Sequence, residues 1–411
     1  MTNRVVVTGM GAVTSLGRDW ETVSNCLKDG VSGVRYMTEW EDIQGLNTRL
    51  GAPIENFEVP PRFKRKQLRG MGRVAKLAIT ATDDALADAK LLDTEVLASG
   101  LTGVAYGSST GSVDAVAEFG EVLLSRSTHS LNSTSYVRMM PHTTAVNISV
   151  VYKAKGRIIP TSCACASGSL AIGYAYEAIK HGYQTVMIAG GAEELDATEA
   201  AVFDTLYATS VRNDAPSMSP RPFDADRDGL VIGEGAGTLV LEEYHHAVAR
   251  GARIYAEIVG FGTNSDGNHV TQPTQQTMEV AMNMALADAT ISPDSIDYVS
   301  AHAAATYASD EAESLATANV LGNNVSISSL KGYFGHSLGA CGAIEAWLGI
   351  KGLQEGWFPA NNNLDNIDPK CGWLDYIVAK PKHIDCQYFM SNNFAFGGMN
   401  TSLIFKRIRD E

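Results

Sequence analysis

Cys165 stands at a point in the chain where a thiol can do chemistry. The segment Arg157-Ile-Ile-Pro-Thr-Ser-Cys-Ala-Cys165 reads as a short buried strand, and Ala166 to His181, closed by Gly182, reads as a helix. A cysteine on such a turn lies at the positive end of a helix dipole, which favours thiolate and suits a covalent nucleophile. The same placement suits a small buried core cysteine, and Cys163 is a rival two residues away. Two histidine motifs downstream strengthen the catalytic reading. His302-Ala-Ala-Ala-Thr306 follows the apolar run 296–301, and Lys331-Gly-Tyr-Phe-Gly-His336 follows the run 324–329. Each histidine sits just past a strand and just before a helix, where catalytic groups collect in α/β sheets.

The elements that must position these groups alternate along the chain. Strand-like runs fall at 3–8, 102–107, 157–162, 184–190, 236–242, 254–261, 296–301, 324–329, 387–391 and 401–406. Helix patterns cover 73–91, 166–181, 278–289, 310–321 and 338–353. Such alternation predicts an α/β fold of largely parallel strands with helices on both faces. No obvious sequence repeat, low-complexity tract or charged linker divides the chain.

At 411 residues and 45% hydrophobic content, the chain can bury a large core. No apolar run suits a membrane span, since the segment 338–353 is short and carries Glu345 and Lys351. The first residues lead straight into a strand, so no secretory signal is expected. Six unevenly spaced cysteines fit a reducing cytoplasm better than a disulfide framework. Cys163-Ala-Cys165 is the only close pair, and without two further ligands no metal site is expected. A net charge of −14 argues against nucleic acid and anionic membranes as partners. One segment runs the other way: Arg62 to Arg73 carries six cations and no acids. On a helix Lys66, Arg69 and Arg73 would share one face, either a solvated basic surface or a docking patch.

These motifs, with Val5-Val-Val-Thr-Gly-Met-Gly-Ala-Val-Thr-Ser-Leu-Gly17, Arg221 to Gly237 and Ser391-Asn-Asn-Phe-Ala-Phe396-Gly-Gly-Met-Asn400, give the chain its family likeness. It resembles the β-ketoacyl-acyl-carrier-protein (ACP) synthases I and II nearly end to end. The resemblance implies the thiolase fold, a five-layered αβαβα core of two similar halves, here 1–250 and 251–411. It implies decarboxylating condensation of a Cys165-bound acyl chain with malonyl-ACP in fatty acid biosynthesis. His302 and His336 would be neutral donors to the developing enolate, with Lys331, Glu345, Asp310 and Glu313 tuning them. The N–H groups of Cys165 and Phe396 would form the acyl oxyanion hole, and the Phe396 ring would gate access. Thr306 and Phe394 would contact the phosphopantetheine arm and pocket, Thr110 would set chain length, and Met139 and Met140 would line the partner's pocket in a homodimer. Lys66, Arg69 and Arg212 would dock the acidic carrier protein. No covalently bound cofactor is implied, because the substrates ride on the phosphopantetheine of ACP.

The chain departs from the family pattern at several of these positions. Ala304 replaces a hydroxyl residue expected to hold the pantetheine arm, and Ala395 stands where glycine is usual, which would stiffen the gate. A specialised ketosynthase of a polyene or polyketide pathway is therefore the alternative reading, and a heterodimer with a related subunit is the alternative assembly. A coenzyme A thiolase is disfavoured by the paired histidines with Lys331, and an inert chain-length subunit by the presence of Cys165.

Overall fold

The computed structural model describes residues 2–408. Five strands build the first half of its sheet: β1 (Val5–Thr14), β2 (Thr102–Gly107), β3 (Ile158–Thr161), β4 (Val186–Glu193) and β5 (Gly235–Glu243). Five more build the second: β6 (Ala256–Ser265), β7 (Tyr298–Ala301), β8 (Ser326–Ser329), β9 (Tyr388–Ala395) and β10 (Met399–Lys406). The spatial order is β3-β2-β4-β5-β1-β6-β10-β9-β7-β8, with Asp375–Tyr376 added beyond β8. Each half thus repeats one strand order, and Val5–Val7 joins them by antiparallel pairing with Ala256–Ile258.

Helices follow the same repeat. After the first, second and third strands of the first half come α1 (Arg73–Asp88), α2 (Thr143–Tyr152) and α3 (Ser167–Lys180). In the second half the corresponding helices are α4 (Gln275–Ala289), α5 (Tyr307–Leu321) and α6 (Cys341–Glu355). The α1 and α2 helices cover the outer face of the first sheet, and α4, with α5 packed on it, covers that of the second. Between the sheets lie α3 and α6, which touch each other and strands of both halves. Three hydrophobic cores fill the spaces between layers. This is the five-layered thiolase fold.

The strands are not largely parallel. In each half the strand at the centre of one end pairs in parallel with two neighbours, while the other two ladders are antiparallel. Among the antiparallel ladders, β9–β10 is a direct hairpin, while the others join strands far apart in the chain. Helix α2 escaped the pattern reading because its Thr, Val, Ile and Asn content has low helix propensity. Packing against β2 and β3 overrides that preference.

The basic segment also differs from expectation. A short helix covers only Arg65–Leu68, and the backbone breaks before α1 begins at Arg73. Arg73 does not share a face with Lys66 and Arg69; its guanidinium Nε reaches buried Glu234 at 2.7 Å. Lys66 and Arg69 stay exposed.

A sparse sequence echo underlies the duplication. Gly9 and Gly11 of β1 lie against the carbonyls of Ala85 and Ala81 in α1, and Gly260 and Gly262 of β6 lie against those of Ala285 and Ala281 in α4. A Cβ at any of these glycines would overlap a backbone oxygen, so each strand and helix meet at glycine–alanine contacts. Gly11→Val and Gly262→Val should each destabilise the protein by about 1–3 kcal/mol through overpacking. Gly120→Ala, in open space on the helix Val113–Ser125, should be neutral or slightly stabilising. Denaturant midpoints check this ranking, and equal midpoints for all three would contradict it.

Candidate active site

Residues from both halves converge at the ends of β3, β7, β8 and β9. Ala164 adopts φ 47°, a left-handed conformation three residues before α3, and this sharp turn presents Cys165. Leu338, three residues before α6, repeats it with φ 41°. The Cys165 thiol is 4% exposed and lines a cavity of about 260 Å³. Cys163 does not line that cavity and packs at the edge of the central core.

His336 Nε2 lies 3.0 Å from Cys165 Sγ. The His302 ring stands edge-on to His336, with centroids 5.2 Å apart and an interplanar angle of 82°. Burial first, and then the nearby Lys331 charge, hold both imidazoles well below the usual histidine range, so both are neutral. Asn393 Nδ2 approaches His302 Nδ1 at 3.4 Å, a contact that favours the tautomer with the proton on Nε2. Burial pushes the Cys165 thiol up to about 11, against Lys331 and the backbone amides of Phe396 and Cys165 itself. Those two amides therefore address the Cys165 sulfur. The sulfur and an imidazole nitrogen of each histidine lie within 4.8 Å of one another, a donor set that can engage a soft divalent ion.

Beneath the histidines, Lys331 Nζ donates to Glu345 Oε1 at 2.6 Å. Burial works against the ammonium, but Glu345 holds it charged, with its pKa above the usual lysine value. Asn393 Nδ2 donates to the other Glu345 oxygen at 2.7 Å. Glu313 accepts from the backbone N–H of His302 at 2.8 Å and of Ala303 at 2.6 Å, fixing the turn after β7. Burial raises its carboxyl to about 8. Asp310, raised by burial to about 6, accepts from the Phe223 N–H at 2.8 Å and faces buried Arg227.

Phe394, Ala395, Phe396, Ala304 and Thr306 all line the cavity. Phe396 occupies the tip of the β9–β10 hairpin, followed by Gly397 and Gly398 with φ 89° and 71°. Ala395 pairs with Met399 as an ordinary strand residue, so the turn's flexibility belongs to the two glycines after it. The Phe396 ring packs on Phe203 with centroids 5.1 Å apart. Thr110, Met139 and Met140 lie away from this cavity: Gly111 abuts the backbone of the two half-buried methionines. Arg212 is partly tied down, its Nε reaching Asp228 at 3.3 Å.

The sequence reading missed Asn393. Its signal was available as two adjacent asparagines in β9, since buried amides generally require hydrogen-bond partners; Asn393 Nδ2 has found one in Glu345, whereas both amide atoms of Asn392 lack one.

Comparison with known proteins decides the family. Residues 2–247 match the β-ketoacyl synthase N-terminal domain, and residues 255–365 match the C-terminal domain. The chain belongs to the β-ketoacyl synthase family. It is 36% identical over 98% of both chains to the 3-oxoacyl-[acyl-carrier-protein] synthase 2 of Synechocystis sp.. Among solved structures, it matches a β-ketoacyl synthase from Burkholderia phymatum at 57% identity, with a TM-score of 0.98 over 99% of this chain and 100% of that one. It also matches the ishigamide ketosynthase/chain length factor at 30% identity and a TM-score of 0.92, over the full length of both.

The buried pair yields a stability test. Lys331→Met leaves Glu345 buried without its cation, and should cost about 3–5 kcal/mol. The double variant Lys331→Met/Glu345→Leu should recover part of that loss. A double variant less stable than Lys331→Met would show that the pair is not the source.

Proposed function

We propose that this protein is a β-ketoacyl-ACP synthase that extends a Cys165-bound acyl chain with malonyl-ACP in fatty acid biosynthesis. The observation that carries this reading is the 3.0 Å approach of His336 Nε2 to Cys165 Sγ, with the neutral His302 beside it. In this mechanism the Cys165 sulfur attacks the thioester of an acyl-ACP and becomes acylated, releasing the carrier's phosphopantetheine thiol. The amides of Cys165 and Phe396 stabilise the tetrahedral oxyanion. Malonyl-ACP then enters past Phe396, with Thr306 holding its pantetheine arm and Phe394 backing the pocket. His302 and His336 donate to the thioester oxygen as carbon dioxide leaves; the resulting carbanion attacks the Cys165 acyl carbonyl, and collapse of the adduct breaks the bond to Cys165 Sγ, giving the β-ketoacyl-ACP and a thiolate that regains its proton from solvent. Lys331, anchored by Glu345, keeps both imidazoles neutral, so that they serve as hydrogen-bond donors. No metal or organic cofactor takes part.

The carrier-protein partner is supported by the exposed Lys66 and Arg69 on an otherwise acidic protein. Arg212 joins them in this reading by exchanging Asp228 for the carrier's acids. A homodimer is supported by β3, which pairs on one side only and leaves Ile158 43% exposed at the sheet edge. Dimerisation there would bring the partner's Met139 and Met140 against the acyl pocket near Thr110. Residues 1–250 and 251–411 are taken as the two halves. Six free cysteines favour a reducing cytoplasm, and among the described residues no helix is long and apolar enough to cross a membrane. The second reading, a specialised polyene or polyketide ketosynthase, is supported by Ala304, a methyl where a hydroxyl would grip the pantetheine arm.

Intact-mass measurement after incubation with acyl-ACP tests the nucleophile: the wild type should gain one acyl group and Cys165→Ala none. Acyl mass on Cys165→Ala would shift the assignment to another thiol. His302→Ala and His336→Ala should still self-acylate, while carbon dioxide release from malonyl-ACP falls by roughly a hundredfold or more. Wild-type release by either variant would remove that histidine from the decarboxylation step. Charge reversal at Lys66, Arg69 and Arg212 should raise KM for ACP substrates and spare acylation by a small thioester. Equal losses with both donors would make the patch structural.

A further inference from the structure

One buried acid near the site has nothing to hold. Glu193, Glu194 and Glu199 cluster around the end of β4 and the helix Ala197–Asp204. Two of them are satisfied within the chain. Glu193 accepts from Ser108 Oγ at 2.8 Å, the Ser109 N–H at 2.7 Å and the Gly339 N–H at 3.0 Å. Glu194 accepts from the Val113 and Val74 N–H groups at 2.7 and 2.8 Å. Glu199 is only 6% exposed, yet neither of its carboxyl oxygens has a hydrogen-bond partner.

Its position relates it to the nucleophile. Phe203 lines the Cys165 cavity and packs on the Phe396 ring. Glu199 precedes Phe203 by four residues on the same helix, so the two share a face with an axial separation of about 6 Å. The Thr110 hydroxyl, from the loop after β2, lies close enough to influence Glu199 ionisation without completing a hydrogen bond. Neither Glu199 nor Thr110 lines the cavity while Phe396 rests on Phe203, so a chain on Cys165 would reach them only by following this helix face past Phe203. A wall built for a plain hydrocarbon would place an apolar side chain there.

We propose that Glu199 recognises a hydroxyl at the far end of the acyl chain, so that the preferred substrate is an acyl-ACP with a polar terminus. The inference rests on the ketosynthase reading above. Burial and the charges of Glu193 and Glu194 push the Glu199 carboxyl well above the usual carboxyl range, towards its neutral form. A protonated carboxyl both donates and accepts, and a hydroxyl offers the complementary pair. A methyl terminus would leave the acid buried and unpaired, and sites built to bond a hydroxyl discriminate strongly against analogues that lack it.

The test is competitive acylation of the full-length protein, read by intact mass, with octanoyl-, 8-hydroxyoctanoyl- and 8-aminooctanoyl-ACP at equal concentration. The wild type should load the hydroxy chain at least about tenfold faster than the methyl chain. Glu199→Leu should reverse that order, and Glu199→Gln, which keeps both a donor and an acceptor, should retain part of it. Circular dichroism and residual loading of octanoyl-ACP separate misfolding from lost preference. Equal or faster loading of octanoyl-ACP by the wild type overturns the inference and leaves the ketosynthase reading standing. Preference for the amino chain overturns the hydroxyl assignment, because it requires an ionised Glu199. If no chain loads onto Cys165, the ketosynthase reading fails, and the inference falls with it.

Discussion

One buried cation organises the centre of this molecule. Lys331 lies in the interior with a single carboxylate, Glu345, against it, and an ammonium in that setting is tolerable only if its partner is held in place. Three elements meet to hold it: the turn after β8 carries the lysine, α6 the glutamate, and β9 the Asn393 amide that occupies the second glutamate oxygen. The charge acts on what surrounds it. Together with burial, which is the larger cause, it keeps His302 and His336 from taking protons, and it lowers the cost of a thiolate at Cys165. Remove the cation, and two buried imidazoles lose one reason to stay neutral donors.

The duplicated fold explains how these groups meet. Each half ends its second and third strands at the same edge of the layered core, and α3 and α6 lie side by side between the sheets. Close approach there requires small residues: a Cβ on Gly168 would strike the Gly339 carbonyl, and one on Gly342 would strike Ser169 and the Asn393 amide. Only one half carries a cysteine at this turn. Counting from the two helix starts, the position matching Cys165 is Gly339, whose N–H bonds Glu193 instead. The second half supplies both histidines and the ion pair. A pseudo-symmetric scaffold thereby holds an asymmetric site, with the thiol from one repeat and its donors from the other.

The departures from the family pattern divide by their surroundings. Ala395 sits in a regular strand pair, where an alanine is as much at home as a glycine, and the hairpin turn relies on Gly397 and Gly398. Ala304 differs, because it faces the cavity and leaves a methyl where the arm of a substrate would pass. The first change is absorbed by the backbone, while the second alters the surface a ligand meets.

The sequence by itself determined the fold class, the strand-to-helix turn that carries Cys165 and the place of both histidine motifs just past their strands, because each depends on local signals; that Lys331 and Glu345 form an ion pair did not follow from it. Hydrophobic runs mark strands, small residues mark tight turns, and motif order ties them to a family. It placed Ala166 to His181 within a residue of the observed α3 at each end. What it could not supply depends on contacts between distant segments. Arg73 reads as part of a basic helix face until the fold turns it onto Glu234, and α2 reads as a poor helix until β2 and β3 stabilise it. The glycine–alanine echo of the two halves hides behind connections of unequal length. Asn393 and Glu199 are not distinguished by the sequence, each being a polar residue in an element that the fold buries. Only tertiary structure shows that the Asn393 Nδ2 has found Glu345 while both Glu199 oxygens lack a hydrogen-bond partner, because satisfaction of a buried polar group is a property of three-dimensional neighbours.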